Sequence, residues 1–295
     1  MRKNFKLSAR LLICLILLVF AIQQSFAQKS ENPASVRIMS YNIRFNNPGD
    51  GVNAWPERKD KVFDVIATAN PDVFGLQEAL IGQIEEIHKA FPGYKWIGQG
   101  RDDGKNGGEF SPVFYNSSRF SLQNSGTFWL SQTPSVAGSR GWDAACNRVV
   151  SWVMLTDRQS GKSFYVFNTH FDHLGQVARR ESARLILRAT DSIAGSSAFI
   201  VTGDFNADPA SEPIRILTEQ QGVLSKLKDT RLMAAKVSGP AYSYTGFEVG
   251  AIPGELIDYV FVKNITKVDS LHINDKSDGK YYPSDHLPVI VELHL

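Results

Sequence analysis

The stretch VTGDFNADP (201–209) follows an apolar run and sets Asp204 and Asn206 two residues apart. Strand side chains alternate faces, so residues two apart project to the same side. A carboxylate and a carboxamide therefore share one edge where the strand ends, and Asp208-Pro209 turns the chain behind them. Gly, Asp, Asn and Pro are also the residues of any solvated strand-end turn. The rest of the chain has to decide between the two.

Alternating elements surround this stretch. VRIMSYNI (36–43) and DVFGLQE (72–78) are rich in β-branched and aromatic residues and read as strands. Between them the spacing predicts a helix over Trp55–Ala69, with Pro56 in its first turn and Val62, Val65, Ile66 and Ala69 on one face. Ile81, Ile84 and Ile87 mark a second helix. Strands are expected at SPVFYN (111–116), GTFWLS (126–131), RVVSWVMLT (148–156) and SFYVFNTH (163–170), the last two as a hairpin turning at Ser160-Gly161. A helix from Gln176 to about Ile193 precedes the strand AFIVTGD (198–204). A short helix near 211–221 and the strands LIDYVFV (256–262) and PVIVELHL (288–295) complete the pattern. Hairpins mixed with strand–helix units predict an α/β protein with largely antiparallel pairing. The strands suffice for two sheets packed face to face, with helices on the outer faces.

The first 27 residues read as a leader. Arg2, Lys3, Lys6 and Arg10 precede the apolar run Leu11 to Ile22, and Ser25-Phe26-Ala27 gives a small-x-small cleavage pattern. That run is shorter than the roughly 20 apolar residues needed to span a bilayer. The expectation is an exported protein, periplasmic or extracellular, with no membrane anchor and a single domain over 28–295. Removing the leader takes away four of the 32 basic residues and no acidic ones, leaving 28 against 30. A slightly negative chain without any Lys/Arg-rich run lacks the usual footprint of a nucleic-acid binder. Cys146 is the one cysteine left, which excludes an internal disulfide and a cysteine zinc site.

Six segments share one grammar, an apolar strand running into polar residues. They are SYN ending at Asn42, LQE ending at Glu78, NTHFDH around His170, GDFN with Asp204 and Asn206, IDY with Asp258, and SDH with Asp285 and His286. Each alone is ordinarily a structural cap. Together and in this order they resemble the endonuclease/exonuclease/phosphatase family, which holds pancreatic-type deoxyribonucleases, abasic-site endonucleases, deadenylases and inositol-phosphate phosphatases. The resemblance runs from residue 36 to the C-terminus, with GDFN and SDH-L-P as its distinctive pair. It implies a four-layer α/β/β/α sandwich of two packed mixed, largely antiparallel sheets flanked by helices. The active site is then expected across the ends of the two sheets.

Phosphoester hydrolysis puts water onto phosphorus while charge builds on the non-bridging and leaving oxygens. Hard oxygen ligands suit Mg²⁺ or Mn²⁺, so a divalent cofactor of that kind is expected. The resemblance implies Glu78 as metal ligand, with Asn42 positioning it and touching the metal, and Asp285 as a second contact, direct or through water. Asp204 and Asn206 then hold the attacking water and a phosphate oxygen. Asp258 orients His286, which acts either as base or as stabiliser of the transition state. His170 donates to a non-bridging oxygen. Arg44 and Arg148 either bind phosphate or are solvated edge residues. Asp172 and His173, in HFDHLG, either belong to the site or cap the following helix. Trp129 and Trp142 form an aromatic wall or part of the core. Glu109, after KNGG, is a further candidate for the pocket lining.

The charge balance leans away from polynucleotides, and the segments NNPGDGVNAWPERKD, GTFWLSQTP and RGWDAACNRVVSW resemble a bacterial branch that includes sugar-phosphate phosphatases. The expected substrate is a small sugar- or polyol-linked phosphoester, and the expected enzyme a monomer. A secreted nuclease of deadenylase or exonuclease type, with nucleic acid as its partner, is the alternative. A non-catalytic binding module is opposed by the expected residue type at every core position of the motif.

Overall fold

Period-2 burial sorts the strand side chains into separate apolar layers. In the first strand, β1 (Ser35–Asn42), Val36 and Ile38 enter one core while Met39 and Tyr41 enter another. The computed structural model describes residues 35–219, 226–250 and 254–295. The expected leader, residues 1–27, lies outside them, as do residues 220 and 221 of the expected short helix.

One sheet orders β10 (Lys236–Ser238), β12 (Lys267–Ile273), β13 (Val289–His294), β1, β2 (Val73–Gln77), β4 (Val113–Asn116) and β3 (Tyr94–Ile97). The other orders β5 (Phe120–Trp129), β6 (Val149–Asp157), β7 (Ser163–His170), β8 (Phe199–Asp204), β11 (Asp258–Lys263) and β9 (Lys228–Asp229). Eight of the eleven described strand pairings are antiparallel. This is the mixed, largely antiparallel arrangement expected from the hairpins.

Three cores account for four layers. Val36, Ile38, Val73 and Val113 of the seven-stranded sheet meet Val153, Val166, Ile200 and Val260 of the six-stranded one. Helices α1 (Trp55–Ala69) and α2 (Ile81–Ala90) bury Val62, Ile66, Ile84 and Ile87 against the outward Tyr41, Phe74 and Phe114. On the other flank, α3 (Gln176–Ala194) and α4 (Glu212–Thr218) bury Ile186, Leu187, Ile214 and Leu217 against Phe167, Val201 and Phe261. Burying each such side chain contributes about 1.5–3 kcal/mol. The layers are therefore set by which parity of each strand is apolar. Among the described residues, no helix is long and apolar enough to cross a membrane.

Five strands depart from the sequence expectation, of which β3, β9 and β10, two to four residues long, are too short to show an alternation of their own. KVDSLHI forms β12, although a bulge between Val268 and Ser270 breaks its alternation. β5 begins at Phe120 rather than Gly126 and carries a bulge between Leu122 and Asn124. An extra residue resets the period of 2 and hides such a strand from pattern reading.

Candidate active site

Strand register gathers the polar residues into a row. His170 pairs with Asp204 across β7 and β8, and Asp204 pairs with Asp258 across β8 and β11. All three share the parity of Val166, Ile200 and Val260, so they face the gap between the sheets. Asn42, on the parity of Val36 and Ile38, faces it from the other sheet.

A polar layer separates this row from the apolar core. Gln77 donates to Asn168 Oδ1 (2.6 Å) and Ser40 Oγ (3.3 Å). Thr202 donates to the same Asn168 oxygen (3.0 Å), while Asn168 Nδ2 donates to the carbonyls of Leu76 (2.7 Å) and Pro112 (2.9 Å). Gly75 leaves the room for this, because a Cβ there would stand 2.4 Å from Asn168 and 2.5 Å from Thr202. A buried amide satisfied at both ends, as that of Asn168 is, is rigid, and it holds the two sheet ends at one separation.

Asn42 joins the sheets at the site itself. Its Oδ1 accepts from the Arg44 backbone (3.0 Å), which leaves Nδ2 for Glu78 Oε1 (3.1 Å) and Asp204 Oδ2 (2.9 Å). An amide has two such protons, so two carboxylates use them fully. In this arrangement the amide nitrogen, rather than the oxygen, faces Glu78. Glu78 itself has φ 60°. Strand alternation would point residue 78 to the helical flank, and the left-handed backbone turns it to the cleft. Such a conformation is unusual for a non-glycine residue and is a form of strain met at functional sites. Asn206 (φ 46°) and Arg44 (φ 55°) share it.

His286 Nδ1 stands 2.8 Å from Asp258 Oδ2, and Nε2 stands 3.6 Å from Asp204 Oδ2. Burial opposes the charge on this imidazole, but Asp258 and Asp204 outweigh it and hold His286 well above its ordinary value. Burial, and then Asp258, push Asp204 up to about 7. Edge-on contact with Tyr244, whose ring centroid lies 5.1 Å away, fixes the His286 ring plane.

His170 behaves in the opposite way. Burial first, and then Arg148 and Arg101, hold it well below its ordinary value. Asn206 Nδ2 donates to Phe171 O (2.9 Å) and meets His170 Nε2 at 3.0 Å, with Asp204 Oδ2 farther from that nitrogen at 3.4 Å. The neutral ring therefore accepts at Nε2 and carries its proton on Nδ1.

Glu78 and Asp285 flank one guanidinium, Arg44, at 3.9 and 4.0 Å. Asp50 also takes that guanidinium through two 3.0 Å hydrogen bonds. Burial, and the charge of Glu78 beside it, hold Asp285 above the usual carboxylate range, although His286 and Arg44 oppose this. Two carboxylates that share one arginine, itself taken by Asp50, fit a hard divalent cation by charge and by donor type. Asp204, Asp258 and His286 also bring ligand atoms within 4.8 Å of one another, but Nδ1 of His286 is taken by Asp258.

Arg44, Glu78, His170, Asp204, Asn206, Asp285 and His286 line a cleft of about 450 Å³ together with Arg101, Glu109, Arg148 and Tyr244, while Asn42 and Asp258 stand behind that lining. Neither Trp129 nor Trp142 lines it. Trp129 is buried and donates to Arg101 O (2.7 Å), so it packs beneath the rim as a core aromatic. Asp172 also stays out of the cleft. It accepts from the backbones of Gly175 (2.7 Å), Leu174 (3.1 Å) and Cys146 (3.1 Å), and stands 3.5 Å from Arg148 Nε. Burial opposes its charge, yet the backbone amides of Gly175, Ala145 and Cys146, with Arg148, bring it down to about 2. His173 does line the cleft, with Nδ1 at 3.1 Å from Arg148. Sequence reasoning passed over Arg101 and Tyr244. Arg101 has a faint signal in the turn-rich RDDGKNGGE, while Tyr244 reaches His286 through a single bridge that no local pattern announces.

Two packed α/β layers with carboxylates, amides and two oppositely tuned imidazoles at one end of the gap define a phosphoesterase of the sandwich type. The chain belongs to the endonuclease/exonuclease/phosphatase family, whose model matches residues 39–286. It is 39% identical to an endonuclease/exonuclease/phosphatase from Bacteroides vulgatus, with a TM-score of 0.84 over 89% of this chain and 99% of that one. It is 32% identical to a mannosyl-6-phosphatase from Bacteroides thetaiotaomicron, with a TM-score of 0.82 over 88% and 100% of the two chains. Nocturnin of Drosophila melanogaster is 25% identical over 82% of this chain, which spans 42% of that protein's length. As a member of this family the protein is a phosphoester hydrolase.

Proposed function

We propose that the protein is an exported, divalent-metal-dependent phosphatase acting on a small phosphoester with a sugar or polyol leaving group. The size of the cleft carries this reading. About 450 Å³ lies within the roughly 300–1,000 Å³ of small-molecule pockets. A polynucleotide needs a long basic track instead. The likeness to a mannosyl-6-phosphatase supports the same substrate class, and the leader at residues 1–27 supports export.

Asp204 accepts the proton of the attacking water, held in place by Asn42 Nδ2 and by the Asn206 backbone amide, 2.9 Å from Asp204 Oδ1. Charged His286 beside it stabilises the negative charge that builds on the phosphoryl oxygens. His170 presents its Nδ1 proton to the ester, and a neutral donor there adds no second titration to the reaction. Glu78 and Asp285 would hold the cation, which when bound neutralises charge on the non-bridging oxygens.

The test is a panel of hexose 6-phosphates, inositol phosphates, single-stranded RNA and duplex DNA with Mg²⁺, comparing kcat/KM. A hexose phosphate is expected to lead. RNA or DNA leading by more than about tenfold, ~1.4 kcal/mol of transition-state stabilisation, makes it a nuclease instead.

A further inference from the structure

One wall of the cleft holds more hydrogen-bonding capacity than the protein uses. Arg148 is 5% exposed and His170 6% exposed. Arg148 Nε and Nη1, His170 Nδ1 and Arg101 Nε are all buried without a hydrogen-bond partner. Leaving such a donor unmade costs about 1–3 kcal/mol. Arg148 Nε stands 3.5 Å from Asp172 and Arg101 Nε 4.0 Å from Asp102, so the pair that calls for an explanation is Arg148 Nη1 and His170 Nδ1, which face one carboxylate. That carboxylate is Glu109. Its Oε2 is bonded by Arg101 Nη1 and stands 3.9 Å from His170 Nδ1 and 4.0 Å from Arg148 Nη1.

Charge distinguishes the ligands such a wall accepts. Arg101 is balanced by Glu109, Arg148 by Asp172 at 3.5 Å, and His170 is neutral. A second phosphate would meet no net positive charge here and would lie against the Glu109 carboxylate, which only accepts hydrogen bonds. A hydroxyl both donates and accepts. It can give its proton to Glu109 while taking one from Arg148 Nη1.

We infer that Glu109, with Arg148, forms a subsite for an uncharged hydroxyl of the leaving group and is the residue that selects a polyol monophosphate over a bisphosphate or nucleotide. The inference rests on the small-phosphoester reading and gives it a specific determinant. A site built to bond a hydroxyl rejects the analogue lacking it far more strongly than an apolar pocket rejects a missing methylene.

The experiment compares mannose 6-phosphate, its 2-, 3- and 4-deoxy analogues and mannose 1,6-bisphosphate on the wild type and on Glu109→Gln, with kcat/KM for each. At least one deoxy analogue should cost the wild type tenfold or more, and that penalty should shrink to twofold or less in the variant. The bisphosphate should be at least tenfold poorer than the monophosphate on the wild type. The Glu109 subsite is overturned if no deoxy analogue costs the wild type more than twofold. It is equally overturned if the penalty survives in Glu109→Gln, or if the bisphosphate is turned over as well as the monophosphate. The wild-type measurements do not depend on how the variant folds. A wild type inert on every hexose phosphate but active on RNA overturns the parent reading as well, whereas flat deoxy penalties on an active wild type overturn the subsite alone.

Discussion

Asp204 and Asp258 face each other directly across neighbouring antiparallel strands, and both are buried. Like charges directly opposite each other destabilise a sheet. His286 resolves the conflict, with one ring nitrogen 2.8 Å from Asp258 and the other 3.6 Å from Asp204. The three groups act as a unit, and the positive charge on the imidazole is the term that lets two carboxylates share the gap.

Removing His286 should therefore cost more than a hydrogen bond. His286→Ala is expected to lower kcat by on the order of 10²–10⁴, the loss typical of a positioned acid–base group. Asp258→Asn should fall in the same range with the fold intact by circular dichroism. Near-normal turnover in His286→Ala would place the reacting atoms elsewhere in the cleft.

The metal-free protein should lose stability as pH rises from about 4 to about 7. Asp204 is held up to about 7 in the folded state, against about 3.9 when unfolded, so the folded protein binds the extra proton in that window. Raised His286 acts in the same direction at higher pH, since its stability is complete below the unfolded value of about 6.5 and fades as pH passes its folded value. Lowered His170 acts the other way, costing stability as pH falls below about 6.5. The decisive quantity is thus the difference between proteins. Asp204→Asn should show a shallower decline of Tm between pH 4.5 and 7 in chelator. An identical slope in the two proteins rules Asp204 out as its source.

Glu78→Gln should raise the Mg²⁺ or Mn²⁺ concentration for half-maximal activity, because one of two carboxylates loses its charge. Excess chelator should abolish turnover in the wild type. Full activity of protein shown to be metal-free by elemental analysis refutes the cation's role.

Much of this was legible because local physics and global packing agree. Trp55–Ala69 is a helix over the span its period predicts, and Asp204 lies on the inter-sheet face that alternation assigns. The bulged strands were hidden, since Val268–Ser270 and Leu122–Asn124 each reset the alternation. Trp129 was ambiguous for another reason. Its composition fits a wall or a core equally, and only the hydrogen bond to Arg101 O decides for the rim's foundation. Asp50 reaches the site from a short 3-10 turn, Pro48–Asn53, and Tyr244 through an isolated bridge to His286, where no period carries information about distance.

Arg58 gives the last prediction, because its guanidinium ties the segment after Asn42, whose amide holds Glu78, to the segment that carries Asp285, the two carboxylates proposed to hold the metal. It is 2% exposed and donates to Asn53 O (2.7 Å), Ile43 O (2.6 Å), Arg44 O (2.7 Å) and Pro283 O (3.1 Å). Ile43 and Arg44 follow Asn42, and Pro283 precedes Asp285, so this one side chain helps set the spacing of Glu78 and Asp285. No ammonium can reach four carbonyls arranged for a planar fork. Arg58→Lys should lose at least about 2 kcal/mol of stability, as buried carbonyls left unmade cost about 1–3 kcal/mol each. It should also raise the half-activating Mg²⁺ concentration several-fold. A lower Tm with an unchanged metal requirement would reduce Arg58 to a purely structural residue.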